Sequence, residues 1–155
     1  MSRGFTLIEL VITVALVGLL AAMVVPTVEL TTKRAKEAEL RLALRDLRRA
    51  IDTYKQAVEE GRVTGKVGES GYPPTLGVLV DGVDDQRSPE KRKIYFLRRL
   101  PRDPMSVGAE LAPEDTWGLR SYASEPDAPV EGADVYDVYS KSRAVGINGI
   151  AYAKW

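Results

Sequence analysis

The sequence predicts an α+β protein in which one long amino-terminal helix, half apolar and half amphipathic, packs on a small antiparallel β-sheet head. Residues 5–25 form an apolar run of helical length, and residues 26–60 carry apolar residues at helical spacing. Short segments of strand-forming residues, separated by proline, glycine and aspartate, follow later in the chain. We therefore expect one modest head domain at residues 61–155, with its strands mainly after residue 118.

The apolar run is long enough to cross a membrane. Between Phe5 and Val25 the only polar side chains are Thr6, Glu9 and Thr13, and about 20 helical residues span the hydrocarbon core of a bilayer, which is roughly 30 Å thick. A carboxylate inside such a segment is costly, so it is usually functional and paired with a cation. The run contains no lysine or arginine. We therefore expect the partner of Glu9 to come from outside the run.

A second helical segment, which we call the stem, covers residues 26–60. Pro26 removes one helical hydrogen bond and predicts a kink or local melting where the stem begins. An apolar stripe at steps of three and four residues comprises Leu40, Leu44, Leu47, Ile51, Tyr54 and Val58. Gly61 is typical of a helix end. An isolated coiled coil would also account for the stripe, although the periodic run is short for one.

The head is predicted to contain loops and short strands. Residues 61–71 are rich in glycine and predict a loop, and candidate strands cover residues 119–123, 135–140 and 150–153. The formal net charge is zero, so attraction to nucleic acid is not indicated. Basic residues prevail at 33–55 and acidic residues at 102–137. These regions are either solvated surfaces or surfaces by which neighbouring copies attract one another.

The composition argues against an enzyme. Histidine and cysteine are both absent, so the common nucleophile–base pairs and zinc sites cannot be built. Residues 61–67 resemble a phosphate-binding loop only superficially, because three residues instead of four separate the glycines and Val67 replaces the hydroxyl that would bind magnesium. We expect no catalytic residues in this chain.

The first ten residues carry the most specific motif. Residues 1–3 form a short polar prefix, Gly4 directly precedes the apolar run, and Glu9 is the fifth residue after that glycine. This arrangement resembles the type IV pilin-like superfamily, in which a prepilin peptidase cleaves after the glycine and methylates the new amino terminus. The resemblance implies a prepilin leader at residues 1–4, with processing at Gly4 and Phe5. It also implies that Glu9 acts in assembly by pairing with the amino terminus of a neighbouring subunit.

A secretory signal and a generic membrane anchor account less well for the amino terminus. An ordinary secretory signal has a shorter apolar core and ends in an A-x-A-like site, whereas residues 20–24 offer no clean site of that kind. A generic single-span anchor accounts for the hydrophobicity of the run. It does not account for the placement of Gly4 and Glu9.

Three later elements resemble, within this superfamily, the major pseudopilin of type II secretion systems, the general secretion pathway protein G family. They are Tyr72-Pro73, Leu100-Pro101-Arg102-Asp103-Pro104 and Asp137-Val138-Tyr139-Ser140. The resemblance implies a structural subunit of the pseudopilus, a filament that helps to export folded proteins across the outer membrane. The implied partners are other copies of the chain, minor pseudopilins, the inner-membrane secretion platform and the prepilin peptidase.

The same resemblance implies a single-pass protein of the bacterial inner membrane, with its carboxy-terminal head in the periplasm, that enters the pseudopilus on assembly. A minor pseudopilin and a type IV pilin remain alternatives of the same class. A membrane-anchored periplasmic binding domain that never polymerises is an alternative of a different class.

Calcium is the one cofactor that the resemblance suggests, because major pseudopilins of this kind commonly bind it in the loop after the aspartate-x-tyrosine-serine strand. Asp137, Ser140 and Asn148 are the candidate oxygen donors. The acidic residue expected shortly after the serine is missing, and Lys141 and Arg143 would repel a cation. A metal-free turn packed beneath the last aromatic residues of the chain is the alternative.

Overall fold

The computed structural model describes residues 5–65, 68–108 and 110–155, except for the side chains of residues 23–27. The chain forms two compact units, Met1–Lys36 and Glu37–Trp155. Helix α1 spans Leu7–Glu59 and contributes to both. The division falls within the stem because Glu37 is buried and the apolar stem residues from Leu40 onward pack into the core of the second unit.

In the amino-terminal unit, the described residues are almost entirely helical. Helix α1 continues without interruption through Pro26, which excludes local melting and leaves a kink as the prediction for this position. Within the described residues, no helical stretch meets the combined requirements of length and hydropathy for a membrane span. The membrane-spanning role of residues 5–25 stays a prediction.

In the second unit, the apolar stripe of the stem forms one side of the core. Five of the six predicted stripe residues are buried, and Val58 is partly buried against them. The other side of the core comprises Val63, Leu76, Leu79, Trp117, Val135, Val138 and Tyr152. Burial of a large aliphatic side chain contributes about 1.5–3 kcal/mol, so this helix–head contact dominates the stability of the unit. The stripe is covered by its own head, which excludes the isolated coiled coil.

The remaining elements are short. Gly61, with a φ of 68°, follows the end of α1 in a left-handed conformation that suits glycine. Helix α2 covers Val78–Asp81, and strands β1 (Val83–Asp84) and β2 (Lys93–Ile94) form an antiparallel pair. Strands β3 (Trp117–Arg120) and β4 (Asp137–Ser140) form a second antiparallel pair, in which Trp117 lies opposite Ser140 and Arg120 opposite Asp137. The predicted α+β class is confirmed.

The strand predicted at residues 150–153 is wrong. Within residues 150–153, only Ala151 forms a β-bridge, and its partner is Val145. Tyr152–Lys154 form a 3-10 turn. Residues three apart lie on the same side of a 3-10 turn, and the rings of Tyr152 and Trp155 meet edge to face with 5.0 Å between their centroids. A strand would point these two side chains to opposite faces. Aromatic packing therefore overrides the extended conformation.

Candidate assembly site

Large apolar side chains of the amino-terminal unit are exposed to an unusual degree. They are Phe5, Leu7, Ile8, Leu10, Val11, Ile12, Val14, Leu16, Val17, Leu19, Leu20, Val28 and Leu30, each at least half exposed. A helix that is apolar on all sides is normally covered by protein or by lipid. An exposed apolar surface of this extent marks a contact with another protein or with a membrane.

Glu9 closes a capping box at the start of α1. Its carboxylate Oε2 accepts hydrogen bonds from the backbone N–H of Thr6 at 2.9 Å and from the Thr6 hydroxyl at 2.7 Å. The backbone N–H of Glu9 donates in turn to the Thr6 hydroxyl oxygen at 3.3 Å. This reciprocal pattern satisfies amide groups that have no partner within the helix. Thr6 thus fixes the position of the carboxylate predicted to act in assembly.

The capping box leaves room for a further partner. Among the described residues, Thr6 supplies both side-chain contacts of Glu9, and both reach the same oxygen. The other carboxylate oxygen therefore remains open to a donor from another molecule. Phe5, which is 83% exposed, directly precedes the cap, whereas Gly4 lies outside the described residues.

Asp137, the first calcium candidate, is bonded within the protein. Its Oδ1 accepts a hydrogen bond from Arg48 Nε at 2.7 Å and one from the backbone N–H of Val138 at 2.8 Å. Arg48 also donates to the carbonyl oxygens of Val138 and Trp155, at 3.3 and 2.9 Å. A guanidinium at hydrogen-bond distance already supplies the positive charge that a calcium ion would bring.

The other two candidates are also bonded elsewhere. The buried Ser140 hydroxyl donates to Asp103 Oδ2 at 2.6 Å, and Asn148 Oδ1 accepts from the backbone N–H of Ile150 at 3.1 Å. In the part of the chain that the structure describes, no cluster of three or more acidic residues is placed to hold a metal ion. The donor set present here does not fit a calcium ion, which needs six to eight oxygens.

Sequence reasoning missed a buried carboxylate on the stem. Glu37 is only 3% exposed, and its Oε1 accepts hydrogen bonds from the backbone N–H of Ile147 at 2.7 Å and from the Tyr152 hydroxyl at 2.9 Å. Its Oε2 lies 3.6 Å from the Arg41 guanidinium. Burial, and then the nearby carboxylate, raise the pKa of Tyr152 above its usual value. The only signal in the sequence is that Glu37 lies one helical turn before the apolar stripe.

Asp103 has a structural role that its motif alone did not predict. It is buried, its Oδ1 accepts from the backbone N–H of Met105 at 2.8 Å, and its own N–H donates to the Thr116 hydroxyl at 3.1 Å. Together with the Ser140 bond, these contacts join the segment before β3 to the end of β4. Asp103 is thus an anchor of the head.

The comparisons with known proteins agree with this arrangement. Residues 1–25 match the family described as a prokaryotic N-terminal methylation motif. The chain is 27% identical over 136 residues to the type II secretion system core protein G of Klebsiella michiganensis, covering 85% of this chain and 88% of the relative. It is also 37% identical over 76 residues to the type IV major pilin protein PilA of Myxococcus xanthus, covering 49% of this chain and 34% of that protein. No solved structure matches the chain.

The core protein G of Pseudomonas aeruginosa provides the strongest basis for classification. It is 30% identical over 136 residues, which cover 84% of this chain and 88% of the relative. The similarity therefore extends through both the helix and the head. Together with the methylation motif at residues 1–25, it shows that the chain belongs to the type II secretion system core protein G family.

Proposed function

We propose that the protein is a structural subunit of the type II secretion pseudopilus and that it polymerises through its amino-terminal helix. The observation that carries the proposal is the apolar surface of residues 5–20, which is exposed on the single chain and requires a cover. The methylation motif at the same end of the chain and the similarity to core protein G support it. The resulting filament would help to export folded proteins across the outer membrane.

Processing and location follow from the same motif. A prepilin peptidase would cleave between Gly4 and Phe5 and methylate the new amino group. Before cleavage, residues 5–25 would hold the chain in the inner membrane as a single span, with the head in the periplasm. Assembly would move the helix from lipid into the filament core, where helices of other copies cover the same apolar surface.

Glu9 would guide this transfer. Thr6 holds one oxygen of the carboxylate, and the second oxygen is open among the described residues, so the Glu9 of one copy can receive the positively charged amino terminus of a neighbour without losing its cap. Opposite charges attract strongly in a medium of low dielectric constant, and pairing offsets the burial cost of both. The proposed assembly partners are other copies, minor pseudopilins and the inner-membrane platform. The proposed role is structural, without catalysis.

The test compares Glu9→Ala with Glu29→Ala, which removes another exposed carboxylate from the same helix. Intact mass and amino-terminal sequencing of the membrane protein would report processing, and electron microscopy would report filaments. We expect N-methylated Phe5 at the amino terminus of all variants, filaments with Glu29→Ala, and none with Glu9→Ala. Filament formation by Glu9→Ala at the wild-type level would contradict the assembly role of Glu9. Absence of filaments from the wild-type chain as well would favour a membrane-anchored binding domain.

The similarity to a type IV major pilin favours a second candidate of the same class, a pilin. A minor pseudopilin is a further alternative of that class. Immunogold labelling of filaments distinguishes a tip role from a major one. Labelling along the whole filament supports the major subunit, and labelling at one end supports a minor pseudopilin. Deletion of the gene separates a pseudopilin from a pilin. Loss of secretion without loss of motility supports a pseudopilin.

A further inference from the structure

One face of the stem carries an unpartnered basic surface. Leu42, Arg45 and Arg49 lie at positions i, i+3 and i+7, which places them on one side of α1, and we call them the arginine face. Leu42 is 55% exposed, and both arginines are exposed. In the described part of the chain, neither guanidinium forms a hydrogen bond or an ion pair.

Neighbouring basic residues of the stem behave differently. Arg41 lies 3.6 Å from Glu37 and stacks on the Trp155 ring at 4.3 Å. Arg48 is bonded to Asp137 at 2.7 Å. These two arginines hold the head to its own helix, whereas the arginine face is left for a partner outside the head.

A loop of the head carries the opposite charge. Residues 124–132, which we call the acidic loop, expose Glu125, Asp127 and Glu131, and Val130 among them is 61% exposed. The backbone of the loop is held in place, because the N–H of Ser121 donates to the Val130 carbonyl at 3.0 Å and that of Ala128 donates to the Glu125 carbonyl at 3.3 Å. Its three carboxylates have no partner among the described residues.

The two surfaces match each other in both charge and hydrophobicity. Each has one exposed aliphatic side chain beside a pair or more of like charges, and the signs of these charges are opposite. On α1 the arginines lie to one side of Leu42, whereas the exposed carboxylates of Glu39 and Asp46 lie to its other side. No ion pair joins them within the described chain, although both are present in every copy. A contact between two different surfaces of identical subunits is heterologous, and it repeats along an open helical assembly instead of closing into a dimer. A second copy of this chain is therefore the occupant that fits.

We propose that, in the filament, the acidic loop of one copy docks on the arginine face of a neighbour, with Val130 against Leu42. This inference rests on the proposed function, since the contact exists only between assembled copies. The apolar helices supply most of the assembly energy, and exposed charge pairs add selectivity and orientation. The docking contact thus fixes the register between heads that surround a shared helical core.

Charge reversal tests the contact. We expect Arg45→Glu/Arg49→Glu and Glu125→Lys/Glu131→Lys each to lower the filament yield. The loss should be about 1.4- to fivefold for every exposed ion pair removed, and repulsion should lower the yield further. The combined fourfold variant should regain most of the yield because attraction is restored with reversed signs. Arg143→Glu/Lys154→Glu, which changes the net charge by the same amount as the arginine double variant at exposed positions, should assemble like the wild type.

Cysteine crosslinking gives a direct readout, because the chain contains no cysteine. Under mild oxidation, filaments of Leu42→Cys/Val130→Cys should yield a ladder of dimers, trimers and longer oligomers. Leu42→Cys/Val107→Cys is the matched control, since Val107 is 95% exposed and lies outside the acidic loop. It should yield no ladder.

The outcomes separate this inference from the proposed function. Processed protein and normal filaments without a ladder, or without rescue by the fourfold variant, would overturn the docking contact and leave the pseudopilus role intact. A crosslink to another protein in place of a second copy would also overturn it. A wild-type chain that is processed but forms no filament would overturn both proposals.

Discussion

The Tyr152 hydroxyl donates a hydrogen bond to the Glu37 carboxylate at 2.9 Å, across 115 positions of sequence. The same carboxylate oxygen accepts the backbone N–H of Ile147. The final segment of the head is therefore anchored to the stem just before the apolar stripe begins. A carboxylate at so buried a position is tolerated only when it is paired and hydrogen-bonded, and Arg41 completes its set of partners.

Replacement of Glu37 by Ala should destabilise the head by about 3 kcal/mol, because the buried Tyr152 hydroxyl and the partly buried N–H of Ile147 lose their acceptor. Glu37→Gln keeps one acceptor oxygen and should cost less. Urea unfolding of the full chain in detergent micelles, followed by tryptophan fluorescence, measures both. Glu39→Ala is the control, since Glu39 is exposed on the same helix. Equal midpoints for Glu37→Ala and Glu39→Ala would contradict a structural role for Glu37.

Tyr152 predicts a loss of stability at alkaline pH. Its pKa is raised in the folded protein, first by burial and then by Glu37, so folding favours the neutral phenol. The resulting stability is fully present below the unfolded pKa of about 10. It is lost as the pH rises from there through the higher folded value.

We therefore expect the urea midpoint to fall as the pH rises above about 10, and Tyr152→Phe to reduce the steepness of that fall. Tyr95→Phe serves as the control because Tyr95 is 63% exposed. If Tyr152→Phe and Tyr95→Phe changed the pH profile to the same extent, the burial of the Tyr152 hydroxyl would not be the cause.

Added calcium should leave the stability of the head unchanged, because Arg48 and Asp103 already engage two of the three predicted donors. If the folded head had a calcium site, calcium at 100 times the Kd of that site would raise the free energy of unfolding by about 2.7 kcal/mol. Unfolding midpoints in 1 mM calcium and in excess chelator measure this directly, with magnesium as the control ion. A rise specific to calcium would show that the loop after β4 rearranges to bind it.

The helix could be predicted from the sequence because its signals are local. The apolar run, the stripe from Leu40 to Val58 and the stop at Gly61 each follow from residue spacing, and the buried stripe and the left-handed Gly61 in the structure confirm the last two. The capping box has a local signature too, since Thr6 and Glu9 stand three residues apart. In the structure, Glu9 therefore caps the start of α1, a role additional to the one predicted for it in assembly.

The head was less predictable because its contacts link distant positions. Strands β1 and β2 have two residues each, too few for an alternating pattern to be visible. The bonds from Arg48 to Asp137 and from Ser140 to Asp103 join residues 89 and 37 positions apart. Nothing in the local sequence distinguishes such a carboxylate from a metal ligand. The calcium hypothesis therefore selected residues that the structure uses as internal anchors.

Gly118 should be intolerant of any side chain. It lies opposite Tyr139 in the β3–β4 pair, and a methyl group at this position would overlap the Tyr139 ring. The overlap can be relieved only if the partly buried Tyr139 ring turns away from Gly118 or if β4 shifts, and β4 packs in the core through Val138. Overpacking of this kind costs about 1–3 kcal/mol, so Gly118→Ala should lower the thermal unfolding midpoint of the full chain.

Gly77→Ala is the matched control, since a methyl group there would meet its neighbours only at ordinary contact distances of 3.6–3.8 Å. If Gly118→Ala were as stable as Gly77→Ala, the Tyr139 ring would not be packed over Gly118.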